Sequence, residues 1–238
     1  MSKSGKNWKP IPRPARLVRA QSASSYLASR VDELRASLRL LDPALVAARS
    51  AVSYLELGSG RGELRIPFWG LEYVFSWPDL AGYTLLLECY GLPSRLRESA
   101  PALPTFQQAL LLYYLITSDG TPLTARWVSF ADLPDGRTYN SAFQGYTGDL
   151  LVRRIPDSLD NFRQACLACG GTAVDIGSAA YVFQSLPRVP LLVTYWLGDE
   201  DFPSSCKILF DAAAGHYLPT DACAVLGSML TRKLIKFR

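Results

Sequence analysis

Apolar residues in this chain change their spacing near Ser53, and the strand-like segments that follow come in adjacent runs instead of alternating with helices. Before that point Leu27, Val31, Leu34, Leu38 and Leu41 step by 4, 3, 4 and 3, which places them on one face of an α-helix. After it Leu64, Ile66 and Phe68, then Leu71, Tyr73, Phe75 and Trp77, recur at every second residue, the period of a strand. Strands adjacent in sequence pair through short turns, whereas a parallel sheet needs a crossover helix between its strands. The expected fold class is therefore α+β, a single domain with antiparallel sheet regions and about five helices.

The remaining elements follow from the same signals. Asp42-Pro43 stops the first helix and starts a short second one, with Asp42 as N-cap and Pro43 at the first helical position. A strand is expected over 83–88 and a proline-punctuated loop over 91–104. Thr105 and Gln108 form a capping-box pattern ahead of an apolar helix over 106–116. A strand over 126–131 precedes a helix over 141–154, which contains Gly145 and Gly148. Ser158 or Asp157 caps a helix that runs to Cys169 and ends at Gly170-Gly171. Three strands over 179–185, 190–197 and 205–211 read as a meander. Thr220 caps a final helix that carries Arg232, Lys233 and Lys236 near its C-terminus, where the helix dipole favours cations.

Composition sets the class of environment. Of 238 residues, 49% are hydrophobic and 19% charged, which suits a globular domain with a sizeable core. The longest apolar runs, Ala109 to Ile116 and Val189 to Leu197, fall short of the roughly 18 residues of a membrane span. The net charge of +4 belongs to one end: Lys3, Lys6, Lys9, Arg13, Arg16 and Arg19 precede the first acid, Asp32. Removing those six from the 25 basic residues leaves 19 against 21 acids. Residues 1–22 are expected to form a disordered basic tail and 23–238 the domain. The near-neutral body is a poor phosphate-binding surface, so nucleic-acid binding through the tail is disfavoured. Five scattered cysteines, Cys89, Cys166, Cys169, Cys206 and Cys223, and no apolar leader segment point to reduced thiols in the cytoplasm.

Four motifs carry possible chemistry. Glu56-Leu57-Gly58-Ser59-Gly60-Arg61-Gly62 looks like the glycine loop of S-adenosylmethionine-dependent methyltransferases, but that loop must open a helix. Here the following residues alternate like a strand and include Pro67, so a glycine-rich hairpin turn is the favoured reading. Cys166-x-x-Cys169 lacks the two further soft ligands of a zinc site and continues the apolar stripe of Leu159 and Phe162. Both thiols are therefore expected in the core, and no metal site is assigned. His216 is the single histidine, and no GxSxG elbow accompanies it. The least ordinary feature is the turn Gly198-Asp199-Glu200-Asp201-Phe202-Pro203, where three successive acids repel one another unless they face water, a cation or a partner.

Leu186-Pro187-Arg188-Val189-Pro190, Tyr195 to Pro203, Ile208 to Asp211, and Tyr217-Leu218 form one set of blocks. Trp127 to Pro134, with Tyr139 and Phe143, forms another. Together they resemble the family catalogued as domain of unknown function 3786, known from anaerobic bacteria and archaea, from about Asp32 to Ile235. Members of that family often carry a four-cysteine iron–sulfur module in front of the domain; residues 1–31 here contain no cysteine. The resemblance implies that any cluster arrives on a partner, an iron–sulfur or corrinoid protein. No cofactor of the chain's own follows from it.

The leading functional expectation is a non-catalytic accessory or binding module in anaerobic redox or one-carbon metabolism. Its candidate ligand- or partner-binding residues are Trp196, Asp199, Glu200, Asp201, Asp211, His216 and Tyr217. The alternative is a carboxylate- or metal-dependent enzyme, which requires Asp199 or Asp201 to converge with Asp211 and His216 in one pocket.

Overall fold

The computed structural model describes residues 17–85, 102–155 and 158–237. The expected tail up to Arg16, Cys89, the far end of the 83–88 strand, most of the 91–104 loop and the alternative cap Asp157 lie outside the described residues. Helix α1 spans Leu17–Leu38 and so begins within the segment expected as tail. Its predicted stripe holds: Val31, Leu34 and Leu38 are buried, while Leu41 falls beyond the helix and is exposed. Helix α2, Pro43–Ser50, starts as expected, with the Asp42 carboxylate accepting from the Leu45 amide at 2.8 Å.

The first sheet follows at once. Strands β1 (Ser53–Gly58), β2 (Arg61–Phe68), β3 (Leu71–Trp77) and β4 (Gly82–Leu85) pair antiparallel in sequence order. Alternation in β2 and β3 turns Leu64, Ile66, Phe68, Tyr73 and Phe75 into the core. Gly58, Ser59 and Gly60 all have positive φ and make the tight turn from β1 into β2. A strand, not a helix, leaves this glycine loop, so the geometry of a methyltransferase cofactor loop is not formed.

Helix α3, Thr105–Thr117, is the buried centre, with every residue from Ala109 to Leu115 withdrawn from solvent. The expected capping box is not made. Pro104 occupies the N-cap, Thr105 is already helical, and Gln108 donates instead to the Leu103 carbonyl at 2.5 Å.

The second sheet contains β5 (Trp127–Val128), β6 (Thr172–Val174), β7 (Ala179–Leu186), β8 (Val189–Trp196) and β9 (Ser205–Asp211), in the order β5-β9-β8-β7-β6. The meander β7-β8-β9 lies where the alternation put it. The strand expected over 126–131 shortens to two residues because Ser129 and Asp132 form a capping box that turns the chain into a 3-10 turn at Phe130–Asp132.

The helix expected over 141–154 divides into α4 (Asn140–Tyr146) and α5 (Gly148–Arg154). The break has a packing cause: a Cβ on Gly148 would lie 1.9 Å from the Cys206 carbonyl oxygen in β9. The chain can approach β9 this closely only without a side chain. Helix α6, Leu159–Ala168, is capped by Ser158 and buries Phe162, Ala165 and Cys166, as the stripe requires. Helix α7, Thr220–Lys236, begins after Pro219, so Thr220 is helical and not its N-cap. Its hydroxyl donates to the Pro134 carbonyl at 2.5 Å.

The two sheets meet at the β2–β3 turn, where the Trp69 amide donates to the Ser185 carbonyl at 3.0 Å, beside a register shift in β7. Tyr114 of α3 joins the same region from below. Its phenol donates to the Ser50 carbonyl at the end of α2 and accepts from the Arg188 amide of the β7–β8 turn at 3.1 Å. Burial pushes this phenol well above the usual tyrosine range, so it remains a donor at any working pH. Tyr114→Phe is expected to leave the Ser50 carbonyl and Arg188 amide unpaired and to destabilise the domain by about 1–3 kcal/mol, measured by urea unfolding. An unchanged unfolding midpoint would show that this junction contributes nothing.

Candidate functional site

The seven residues singled out by sequence fall at two ends of the second sheet. Trp196 pairs with Ser205 where β8 leads into the acidic turn, whereas Asp211 closes the opposite end of β9. Ser205 and Asp211 are six steps apart along the strand, roughly 20 Å at about 3.4 Å per residue. The convergence of Asp199 or Asp201 with Asp211 and His216, which the enzyme reading requires, is therefore not formed.

At the Asp211 end, the carboxylate is 1% exposed and committed to backbone. It accepts from the Thr124 amide and hydroxyl at 3.0–3.1 Å, and from the Ala125 and Ala213 amides at 2.8 Å. Ala125 has a φ of 55°, a left-handed conformation uncommon for alanine, and the Asp211 carboxylate holds its amide in place. The buried Tyr217 phenol donates to the Thr121 carbonyl, and its ring packs 6.2 Å from that of Tyr114. His216 adds a third restraint: its Nδ1 lies 2.8 Å from an Asp119 carboxylate oxygen and 3.2 Å from the Thr121 hydroxyl. Asp211, His216 and Tyr217 together hold the extended segment 118–126 against the sheet.

An imidazole oriented by a carboxylate is chemically suited to proton transfer. The side chains bonded to this ring, however, are Asp119 and Thr121, and both His216 and Asp119 are about half exposed. Partial desolvation raises the Asp119 pKa, but hydrogen bonds from His216 and Thr121 outweigh it and hold the carboxyl at about 2.

The clamped segment borders an open cavity of about 500 Å³ lined by Arg126, Trp127, Val128, Ser129, Asp132 and Ala212. Sequence reasoning missed this feature. Its one local signal is the Ser129-x-x-Asp132 pattern, in which Asp132 accepts from the Ser129 amide at 3.0 Å and hydroxyl at 2.6 Å.

The other end is built from two neighbouring turns. The Ser178 amide donates to the Tyr195 carbonyl and the Leu197 amide donates to the Ser178 hydroxyl, each at 3.0 Å, which ties the β6–β7 turn to the β8–β9 turn. Within the latter, the Asp199 carboxylate accepts from the amides of Asp201 at 3.0 Å and Phe202 at 2.8 Å. The Gly198 amide donates to the Ser204 hydroxyl at 2.8 Å. A Cβ on Gly198 would come within 2.5 Å of the Ser204 amide, so only glycine fits. The acidic turn is thus internally braced.

Large apolar side chains stand in water at this end: Phe202 is 70% exposed, Trp196 50%, Leu197 45% and Ile176 of the adjoining turn 37%. On the same two turns Asp175, Asp199, Glu200 and Asp201 are all exposed. None of these four acids forms an ion pair among the described residues.

The four described thiols take no part in either end. Cys166, Cys169, Cys206 and Cys223 are free and buried, and burial pushes each thiol up, away from the thiolate that metal binding or redox chemistry needs. Among the described residues no group of three or more His, Cys, Asp and Glu side chains is placed to hold a metal ion, and no helix is long and apolar enough to cross a membrane.

These features define a class: a mixed α+β domain of two antiparallel sheets and a buried helix, with a braced apolar-acidic turn surface at one end of the second sheet and a clamped loop at the other. The chain belongs to the family described as Domain of unknown function (DUF3786), whose model matches residues 42–233. No curated protein and no solved structure matches it.

Two expectations follow for the clamped end. Asp211→Ala should destabilise the domain by about 3 kcal/mol, because buried amides lose their acceptor, and chemical denaturation reads this directly. A carboxyl whose folded pKa is depressed contributes stability that is complete above its ordinary value, near 3.9, and lost as pH falls toward the folded value. Carboxyl titration by NMR should accordingly place Asp119 at about 2 in the parent protein and higher in His216→Ala. An Asp119 titration that does not move would show that His216 is not its partner in solution.

Proposed function

We propose that this protein is a non-catalytic accessory module that docks a partner protein on the paired β6–β7 and β8–β9 turns. The observation that carries this reading is the combination of Trp196, Leu197 and Phe202 in water on a turn braced by its own hydrogen bonds. Exposed apolar groups clustered on an ordered scaffold are a feature of interaction sites, and a rigid turn loses little entropy when it binds. The setting proposed with it is anaerobic redox or one-carbon metabolism in the cytoplasm, with an iron–sulfur or corrinoid protein as partner. The residues of the Asp211 end, His216 and Tyr217 among them, then serve the scaffold and not the contact.

The test is in-cell cross-linking in an anaerobic host with quantitative mass spectrometry, comparing the parent chain with Trp196→Ala/Phe202→Ala. Both side chains are exposed, so the variant should unfold within about 0.5 kcal/mol of the parent. Its yield of specific cross-linked partner should fall at least about tenfold, the loss typical of removing aromatic anchors. The same partners at the same yield from both proteins would sink the proposal.

A further inference from the structure

The turn surface also carries information about the chemistry of its occupant. Four exposed carboxylates, Asp175, Asp199, Glu200 and Asp201, lie on the same two adjoining turns as the exposed Trp196, Leu197, Phe202 and Ile176, at one end of the second sheet. The cation on the flanking helix is already engaged: Arg163 of α6 pairs with Asp160 at 3.3 Å and reaches the Ser178 carbonyl at 3.5 Å. Lys207 on β9 is opposite Thr194, two pairs inward from the Trp196–Ser205 pair at the turn. One oxygen of Asp199 is consumed by turn amides. Glu200 and Asp201 make no ion pair among the described residues. An apolar surface with this rim repels nucleic acid, anionic lipid headgroups and acidic proteins, because like charges brought together in a contact oppose it.

Resting on the docking role proposed above, we infer that the occupant is a basic segment of another protein in which Lys or Arg alternates with apolar side chains. Each part of the surface then has its complement. Ammonium or guanidinium groups meet the rim carboxylates and lie over the exposed Trp196 and Phe202 rings, whose faces attract cations. The apolar residues between them cover Leu197 and Ile176. Affinity comes mainly from the desolvated aromatic centre, and the rim supplies partner selection and encounter rate.

The charge and apolar components separate in one experiment on the full chain. Short fluorescent peptides serve as probes: one alternating Lys and Leu, its Glu-for-Lys counterpart, a Lys–Ser peptide, and the sequence of residues 1–16 of this chain. Anisotropy titrations use the parent, Asp199→Asn/Glu200→Gln/Asp201→Asn, and Trp196→Ala/Phe202→Ala. The asparagine at 199 keeps an oxygen for the turn amides, so the turn retains its shape while the charge is lost. The Lys–Leu peptide should bind the parent and the Glu–Leu peptide should not. Binding should weaken at least about tenfold in the charge-neutral variant, and likewise on raising NaCl from about 0.05 to about 0.5 M.

Peptide binding that ignores salt and the neutral substitutions, yet disappears with Trp196 and Phe202, overturns the basic occupant and leaves the docking role standing. No binding of the Lys–Leu peptide by the parent overturns the inference. If the aromatic substitutions also spare the cellular cross-links, the docking role falls with it. Tighter binding of the 1–16 peptide than of any other probe overturns the foreign occupant and assigns the surface to this chain's own N-terminal segment. A preference for Lys–Ser over Lys–Leu reduces the contact to charge alone and overturns the apolar component.

Discussion

A helix buried on every side must hand its polar side-chain atoms to its neighbours, and α3 meets that requirement through Tyr114. Its phenol accepts from the Arg188 amide and donates to the Ser50 carbonyl, so a single oxygen ties the end of α2 to a turn of the second sheet. A buried hydroxyl left without partners is costly, which makes this connection directional and not merely close-packed. The end of α2 thus holds its place relative to the second sheet partly through one side chain. The Trp69 amide bonded to the Ser185 carbonyl adds a second tie between the same halves.

Asp211 plays the corresponding part at the end of β9. Removing a carboxylate from water is favourable only when donors replace the water, and here three amides and a hydroxyl do so. The segment between α3 and β5 has no regular structure of its own, yet it is anchored by Asp211, His216 and Tyr217 from one short stretch of chain. These anchors give Asp211 at the end of β9, and His216 and Tyr217 shortly after it, a place in the scaffold. They also shape the wall of the cavity beside Trp127.

Much of the fold is legible in the sequence because its causes are local. The two-residue period of Leu64, Ile66 and Phe68 and the Asp42-Pro43 start of α2 depend on neighbours a few positions away. The same holds for the stripe that buries Cys166. The rest is set by distant partners. Nothing near Asp211 in sequence indicates Thr124, 87 positions upstream. The division of α4 from α5 depends on the Cys206 carbonyl in a strand not yet reached by the chain. The acidic turn was visible as a run of like charges, but its bracing by Asp199 and the nearness of Ile176 emerge only when β6, β7 and β8 pair. Asp211 and His216 follow that turn closely in sequence but not in space, because the length of β9 separates them.

The outermost strands of the second sheet are very short, two residues in β5 and three in β6, while the strands between them have seven or eight. Long open strands invite pairing with other chains and the growth of fibrils, and truncated outer strands deny that template. The sheet therefore shows tryptophan, leucine and phenylalanine to solvent at its turns while its outermost strands offer only two or three residues of backbone as a template. Stickiness is confined to side chains, where recognition can be selective, and kept away from the main chain, where it would be indiscriminate.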